Sequence, residues 1–132
     1  MRAFLVLLVV VSLMSAVPAQ AREQSIRSVI NDQIAAFRAD DLDAAYGHAA
    51  PGIQRLFPTP ERFGTMVRRG YPMIWRPRAV EFLGLREERA RIWQRVLITG
   101  PEGGLHVLDY EMREIDGLWR IGGVVRVPGA GA

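Results

Sequence analysis

The sequence predicts an α+β domain in which three N-terminal helices pack on a curved, four-stranded antiparallel sheet. Up to about residue 70, apolar residues recur at helical spacing, and residues that favour helix N-termini precede them. From residue 78 onward, apolar and polar residues alternate between turn signals, as strands do. The clearest turn is Asp116-Gly117, the residue pair that most favours a tight type I′ β-hairpin.

The start of the chain has the pattern of a cleavable signal peptide. Met1-Arg2 gives a positive start, Phe4–Leu13 is almost wholly apolar, and Ala19-Gln20-Ala21 forms a small-x-small cleavage site. The apolar run is shorter than the roughly 20 residues that span a bilayer. We therefore expect cleavage after Ala21, a periplasmic or secreted protein, and no permanent membrane anchor.

Composition narrows the classes of partner. The chain has no cysteine, so neither a disulfide nor a lipoprotein attachment site can form. All 17 basic residues are arginine, and they are interleaved with 14 acidic residues instead of clustering in a stripe. We therefore expect no nucleic-acid partner. The mature chain is predicted to be one domain over residues 22–127 with a frayed tail at 128–132.

Three helices are predicted from apolar spacing and capping residues. Ser25 is the expected N-cap of the first helix. Asp40 or Asp41 is the expected N-cap of the second. Acidic residues at a helix start interact favourably with the helix dipole, so capping explains them better than a metal site does. Thr59 followed by Pro60 starts the third. The predicted spans are Ser25–Arg38, Leu42–Ala49 and Thr59–Gly70, with a helical turn at Gly52–Phe57.

The segment Tyr71–Pro77 contains two prolines, which predict an extended crossover or a short edge strand. It also carries the large aromatic residues Tyr71 and Trp75. Two interpretations remain open: the rings plug the open end of the sheet, or they line the mouth of a cavity.

The strands of the last hairpin have a predicted register. The two-residue turn pairs Ile115 with Leu118, and strict alternation then places Tyr110 opposite Gly123, where the ring has room. The predicted strands are Val80–Leu85, Ala90–Thr99, Leu105–Ile115 and Leu118–Val127. The predicted inward face carries Tyr110, Met112, Trp119 and Ile121, and the outward face carries Val107, Asp109, Glu111, Arg113, Arg120, Val124 and Arg126.

The hairpin at Pro101–Gly104 allows two registers. One places Ile92, Gln94, Val96 and Ile98 under the helices, and the other places Arg91, Trp93, Arg95 and Leu97 there. The first is preferred because it buries more apolar residues. It also brings Gln94 beside Tyr110, where the amide needs a hydrogen-bond partner.

A spaced set of residues runs through the mature chain: Gln33, Ala36-Phe37-Arg38, Asp40, Ala44, Phe63, Met66-Val67, Gly70-Tyr71-Pro72, Gln94, Val96, Tyr110, Met112, Gly117 and Trp119-Arg120-Ile121. On these residues the chain resembles the uncharacterised bacterial domain-of-unknown-function family DUF4864, in the cystatin-like, nuclear-transport-factor-two-like superfamily. The resemblance implies a cystatin-like cone. That superfamily includes isomerases, dehydratases and non-catalytic binders, so the fold does not choose an activity.

Catalytic chemistry has little support in the sequence. There is no phosphate loop, metal-spaced histidine cluster or dinucleotide fingerprint. Isomerases of this superfamily place an acid and a tyrosine inside the cone, but Asp109 and Tyr110 are adjacent and point to opposite faces. His48 at the end of a helix is expected to be stabilised in its charged form, and His106 is expected at the rim of the sheet. We predict no catalytic residue, no metal and no cofactor.

The leading interpretation is non-catalytic binding of a small apolar ligand or of a protein partner in the cell envelope. The alternative is a cofactor-independent isomerase or dehydratase. The sheet's outer face is a possible homodimer surface, with Val107, Val124 and Leu118 ringed by Arg113, Arg120 and Arg126. The predicted ligand pocket inside the cone is lined by Phe37, Tyr46, Met66, Tyr71, Trp75, Gln94, Tyr110 and Trp119. These residues could instead simply fill the core.

Overall fold

The structure is a computed structural model that describes residues 18–129. Residues 1–17, which make up most of the predicted signal peptide, lie outside the described residues. Residues 130–132, the end of the predicted tail, also lie outside them. Among residues 18–129, no helix has both the length and the apolar character that crossing a membrane requires.

Five helices precede four strands in the described part of the chain. The helices are α1 (Ala19–Arg38), α2 (Leu42–Gly47), α3 (Pro51–Leu56), α4 (Pro60–Gly70) and α5 (Pro72–Trp75). The strands are β1 (Ala79–Glu88), β2 (Arg91–Thr99), β3 (Leu105–Ile115) and β4 (Leu118–Arg126), paired antiparallel in the order β1-β2-β3-β4. This confirms the predicted mixture of helices with a four-stranded antiparallel sheet, whereas the prediction of three helices is wrong.

Two helix starts agree with the predicted capping residues. The Asp41 side chain accepts a hydrogen bond from the backbone N–H of Ala44 at 3.1 Å, and Thr59 accepts one from Arg62 at 3.2 Å. The prediction for Ser25 is wrong, because α1 already begins at Ala19. The intervening alanine, glutamine, arginine and glutamate residues are all strong helix formers, so the helix extends back to Pro18.

The segment after α4 is helical, which corrects the prediction of an extended crossover. Pro72 occupies the first position of the one-turn helix α5, where a missing N–H costs nothing because that group has no intrahelical partner. Met73 and Ile74 are buried by this turn. The two prolines therefore delimit a helix instead of preventing one.

The register between β2 and β3 is the preferred one. Gln94 pairs with Tyr110 and Val96 with Leu108, so the apolar residues of β2 lie under the helices. β1 is longer than predicted: it continues to Glu88 through an irregularity between Phe82 and Leu85.

The register between β3 and β4 changes part-way along the hairpin. Ile115 pairs with Leu118 and Met112 with Ile121, as predicted. A β-bulge comes next, and beyond it Glu111 pairs with Gly123. The bulge flips the later residues of β4, because one extra residue exchanges the two faces of a strand.

Three predicted positions are corrected by this bulge. Tyr110 pairs with Val124 instead of Gly123. Val124 and Arg126 therefore share the helix-covered face with Tyr110 and Leu108, and they do not belong to the outward set. A side chain at Gly123 would meet Glu111 on the other face, at 3.7 Å, and not the ring of Tyr110.

The core lies between the helices and one face of the sheet, and residues 18–129 place no helix on the other face, which is called the uncovered face below. The apolar residues that recur at helical spacing along α1, Ile26, Ile30, Ile34 and Phe37, are buried, and Phe37 is fully enclosed. Residues 48–50 run beside the edge of β4, where the Ala50 N–H donates to the Ile121 carbonyl at 2.8 Å. The largest fully buried side chains are Tyr110, Phe37, Ile26, Ile30, Ile98, Leu108, Ile121, Gln94 and Val96.

Candidate ligand-binding groove

An apolar groove of about 370 Å³ opens between helices α3 and α4 and the middle of β4. Its volume is near the lower end of the range, roughly 300–1,000 Å³, that is usual for small-molecule sites. Among the described residues that line it, only Gln33 and Tyr71 have side chains with polar atoms. The remaining lining residues are Phe37, Ile53, Leu56, Phe57, Phe63, Met66, Val67, Ile74, Ile121, Gly122, Gly123 and Val124.

The short helix α3 forms one lip of the groove, and Tyr46 holds it in place. The Tyr46 hydroxyl donates to the carbonyls of Phe57 at 2.8 Å and Gln54 at 3.1 Å. In return, the Gln54 amide donates to the Tyr46 carbonyl at 3.1 Å. Leu56, at the end of α3, lines the groove while its residue surface is 74% exposed. A large aliphatic side chain therefore stands uncovered at the mouth of an apolar site.

The opposite end of the groove is formed by Tyr71 and the last residues of β4. The Tyr71 hydroxyl lies 3.5 Å from the Val124 carbonyl, which makes a long and weak hydrogen bond. The guanidinium carbon of Arg126 lies over the Tyr71 ring, 5.3 Å from its centroid. Arg126 also donates to the Gly70 carbonyl at the end of α4.

The groove brings together only part of the predicted pocket. Phe37, Met66 and Tyr71 line it. Other parts of its wall come from α3 and from Val124, which the sequence does not predict as pocket residues. Helix α3 has only six residues, too few to show an apolar face, and strict alternation assigns Val124 to the uncovered face.

The remaining predicted pocket residues lie elsewhere. Gln94 and Tyr110 are fully buried in the core and do not line the groove. The Trp75 ring packs on Phe37, with ring centroids 5.4 Å apart, and is itself covered by Arg76. Trp119 pairs with Glu114 close to the Asp116-Gly117 turn, and Tyr46 is committed to α3.

A second depression, of about 540 Å³, lies between the start of α1 and the last hairpin turn. Arg22 and Glu114 contribute charge to its lining, beside Leu118 and Trp119. This lining is more polar than that of the groove and offers less apolar surface. The apolar groove is therefore the stronger candidate for a binding site.

Comparison with protein-family models gives a match to one family, described as a domain of unknown function (DUF4864), over residues 19–131. The chain belongs to this family. The match covers all the helices and strands described above and confirms the resemblance to the DUF4864 family. No curated protein matches the sequence.

The DUF4864 core contains two polar side chains on paired positions of β2 and β3. The Gln94 amide donates to the carbonyls of Leu83 at 2.9 Å and Arg95 at 2.8 Å. Its oxygen, and the hydroxyl of Tyr110, have no hydrogen-bond partner among the described residues. Burial raises the pKa of Tyr110 far above its usual value, so this phenol stays protonated and cannot act as a base.

The carboxylate of Asp109 lies on the uncovered face, as predicted, and two arginines hold it there. Arg86 donates to its two oxygens at 3.1 and 2.9 Å, and Arg95 donates to them at 3.0 Å each. Arg113 instead pairs with Glu111, and the bulge takes Arg126 to the other face. Burial favours the neutral acid, but the hydrogen bonds from Arg95 and Arg86 outweigh it and lower the pKa of Asp109 to about 2.

Neither histidine of the DUF4864 domain lines the groove. The expectation that His48 is stabilised in its charged form is wrong. Burial lowers the pKa of His48 and Arg120 lowers it further, against a raising effect of Asp32. Within residues 18–129, no group of three or more histidine or acidic residues could hold a metal ion.

Proposed function

We propose that this DUF4864 domain binds a small apolar ligand in the groove between α3, α4 and β4, without catalysing a reaction. The observation that carries the proposal is Leu56, which is 74% exposed at the mouth of an apolar groove. A single exposed leucine means little on any protein surface. A leucine that extends the wall of an apolar cavity gains stabilisation when a ligand covers it.

The chemistry of the lining supports binding over catalysis. Gln33 is committed to the fold, because its amide donates to the Ala45 carbonyl at 3.1 Å. Among the described residues that line the groove, none is a carboxylate or a histidine. Proton transfer of the kind an isomerase or a dehydratase performs needs such a group within hydrogen-bond reach of the substrate. The lining of the groove therefore favours a binder over an isomerase or a dehydratase.

The setting of this function is also proposed. Helices on one face of an open antiparallel sheet agree with a cystatin-like cone, and the N-terminal sequence pattern supports export to the periplasm or beyond. A homodimer through the uncovered face would use Val107 and Leu118 with Arg113 and Arg120. Sedimentation analysis tests it: a protein that stays monomeric at all accessible concentrations would exclude the dimer.

The binding proposal can be tested with decanol, an uncharged apolar probe, by following the amide resonances of the labelled protein. We expect saturable shifts confined to α3, α4 and the middle of β4. Leu56→Gln should weaken binding about fivefold, since part of one leucine's burial is lost. The matched control is Leu118→Gln, because Leu118 is 56% exposed and lines the other depression. Weakening by the Leu118 variant alone, or the absence of localised shifts, would contradict the proposal.

A further inference from the structure

We propose that the natural occupant of the groove is a fatty acid, with its chain between α3, α4 and β4 and its carboxylate at Arg126. This inference rests on the proposed function and adds a head group to it. It starts from the charge at one end of the groove. Tyr71 lines the groove, and the guanidinium carbon of Arg126 lies 5.3 Å from the centre of the Tyr71 ring.

Arg126 differs from Arg86, Arg95 and Arg113 of the uncovered face in having no acidic partner among the described residues. Arg86 and Arg95 are both held by Asp109, and Arg113 is held by Glu111. Among the described residues, Arg126 forms no ion pair, and its one hydrogen bond goes to the neutral carbonyl of Gly70. A cation at the end of an apolar site is complementary to an amphiphile with an anionic head.

The rest of this rim is also basic. Arg68 and Arg69 occupy the last turn of α4, directly before Gly70, and both are exposed. Neither forms an ion pair within residues 18–129. The three arginines add a positive potential at the Tyr71 end, and no lining residue opposes it with a negative charge.

The β-bulge is what brings Arg126 to this rim. In an unbroken register Arg126 would project from the uncovered face, near Asp109. The extra residue at Gly122 moves Val124 and Arg126 to the groove side together. Val124 then lines the groove and Arg126 stands two residues further along the same face, an arrangement suited to a chain and its head group.

Arg126 could have a purely structural role instead of binding the carboxylate of a ligand, and the two roles have different consequences. Its hydrogen bond to Gly70 stabilises the C-terminus of α4, which is a common use of arginine. That bond uses only one of several N–H donors of the guanidinium, so the others can hold a carboxylate. A structural role predicts an effect on stability alone, whereas the proposed role predicts a preference for an acid over the matching alcohol.

The test compares decanoate with decanol at a pH where decanoate is ionised and at concentrations below its aggregation. The wild-type protein should bind decanoate about tenfold more tightly than decanol, which is the effect of a charge-assisted hydrogen bond. Arg126→Gln should abolish this preference, so that the ratio of the decanoate and decanol affinities falls to about one. Arg126→Lys should retain part of it. The control Arg91→Gln removes an arginine of the uncovered face and should keep the full preference.

The outcomes separate the two proposals. Equal binding of decanoate and decanol by the wild-type protein would overturn the fatty-acid inference while the proposed function stands. Binding of neither probe would overturn both. If Arg126→Gln is folded, as its amide spectrum will show, and still prefers decanoate, then Arg126 is not the head-group site and the inference fails.

Discussion

Replacing Asp109 with asparagine removes the negative charge at the centre of the uncovered face and nearly preserves the shape of the side chain. Two arginines each donate two hydrogen bonds to this carboxylate, and its side chain is only 8% exposed. An asparagine can accept from one guanidinium, but its amide group presents donors to the other. The variant therefore leaves two neighbouring cations, Arg86 and Arg95, without a counter-charge.

The expected loss can be worked out from the pKa of Asp109. That pKa falls from 3.8 to about 2 in the folded protein. At about 1.4 kcal/mol per pKa unit, the upper bound on the stabilisation is about 2.5 kcal/mol. The arginine side chains are 38% exposed, so solvent screening reduces it to about 1–2 kcal/mol. Because the folded-state pKa is lowered, this stabilisation is complete above about pH 4 and is lost as the pH falls through about 2.

Urea unfolding at a series of pH values measures the effect. Asp109→Asn should be less stable than the wild-type protein by about 1–2 kcal/mol at pH near 7, and the difference should shrink below about pH 4. Glu81→Gln is the matched control, because Glu81 is an exposed acid on β1 with no ion pair among the described residues, and it should change stability by less than about 0.5 kcal/mol. A difference that is independent of pH would refute the reasoning.

Three further predictions concern the bulge, the core and the N-terminus. Gly122→Ala should cost about 1 kcal/mol of unfolding free energy, because its new carbon would lie 2.7 Å from Arg113, whereas Gly123→Ala, with its nearest contact at 3.7 Å, should be close to neutral in urea titrations. Tyr110→Phe should leave the thermal midpoint unchanged or raise it, because the hydroxyl is buried without a partner; a loss of about 1 kcal/mol or more would reveal a partner such as an internal water. Mass spectrometry of the exported protein should give a chain that begins at Arg22, and retention of the full leader would contradict the proposed cleavage.

The sequence predicts the pairing of strands correctly where the turn type or the burial of apolar residues determines it. Asp116 and Gly117 both have positive φ, at 52° and 77°, as a type I′ turn requires, and this turn directly dictates the pairing of Ile115 with Leu118. The Gln94–Tyr110 register buries the most apolar residues of β2, which is why the sequence favours it, and the structure confirms it.

The bulge could not be found in the same way. Alternation identifies a face only where apolar and polar residues differ, and Gly122-Gly123 carries no side chain to place. The next two residues, Val124 and Val125, are identical, so either phase of the strand buries one valine and exposes the other. Residue pairs that are counted from the turn are therefore correct for the first half of β4 and wrong beyond the glycine pair.

The extra residue of the bulge, Gly122, also explains why the sequence predicts only part of the groove. Counting without the bulge assigns Arg126 to the uncovered face, where Asp109 also lies. In the folded chain Arg86 and Arg95 neutralise Asp109, and Glu111 neutralises Arg113. Arg86, Arg95 and Arg113 are thus paired within the uncovered face, and an anion that binds to any of them would have to displace a buried carboxylate. Arg126 has no such competitor among the described residues, so the end of the groove beside Tyr71 can accept a negative charge without displacing one.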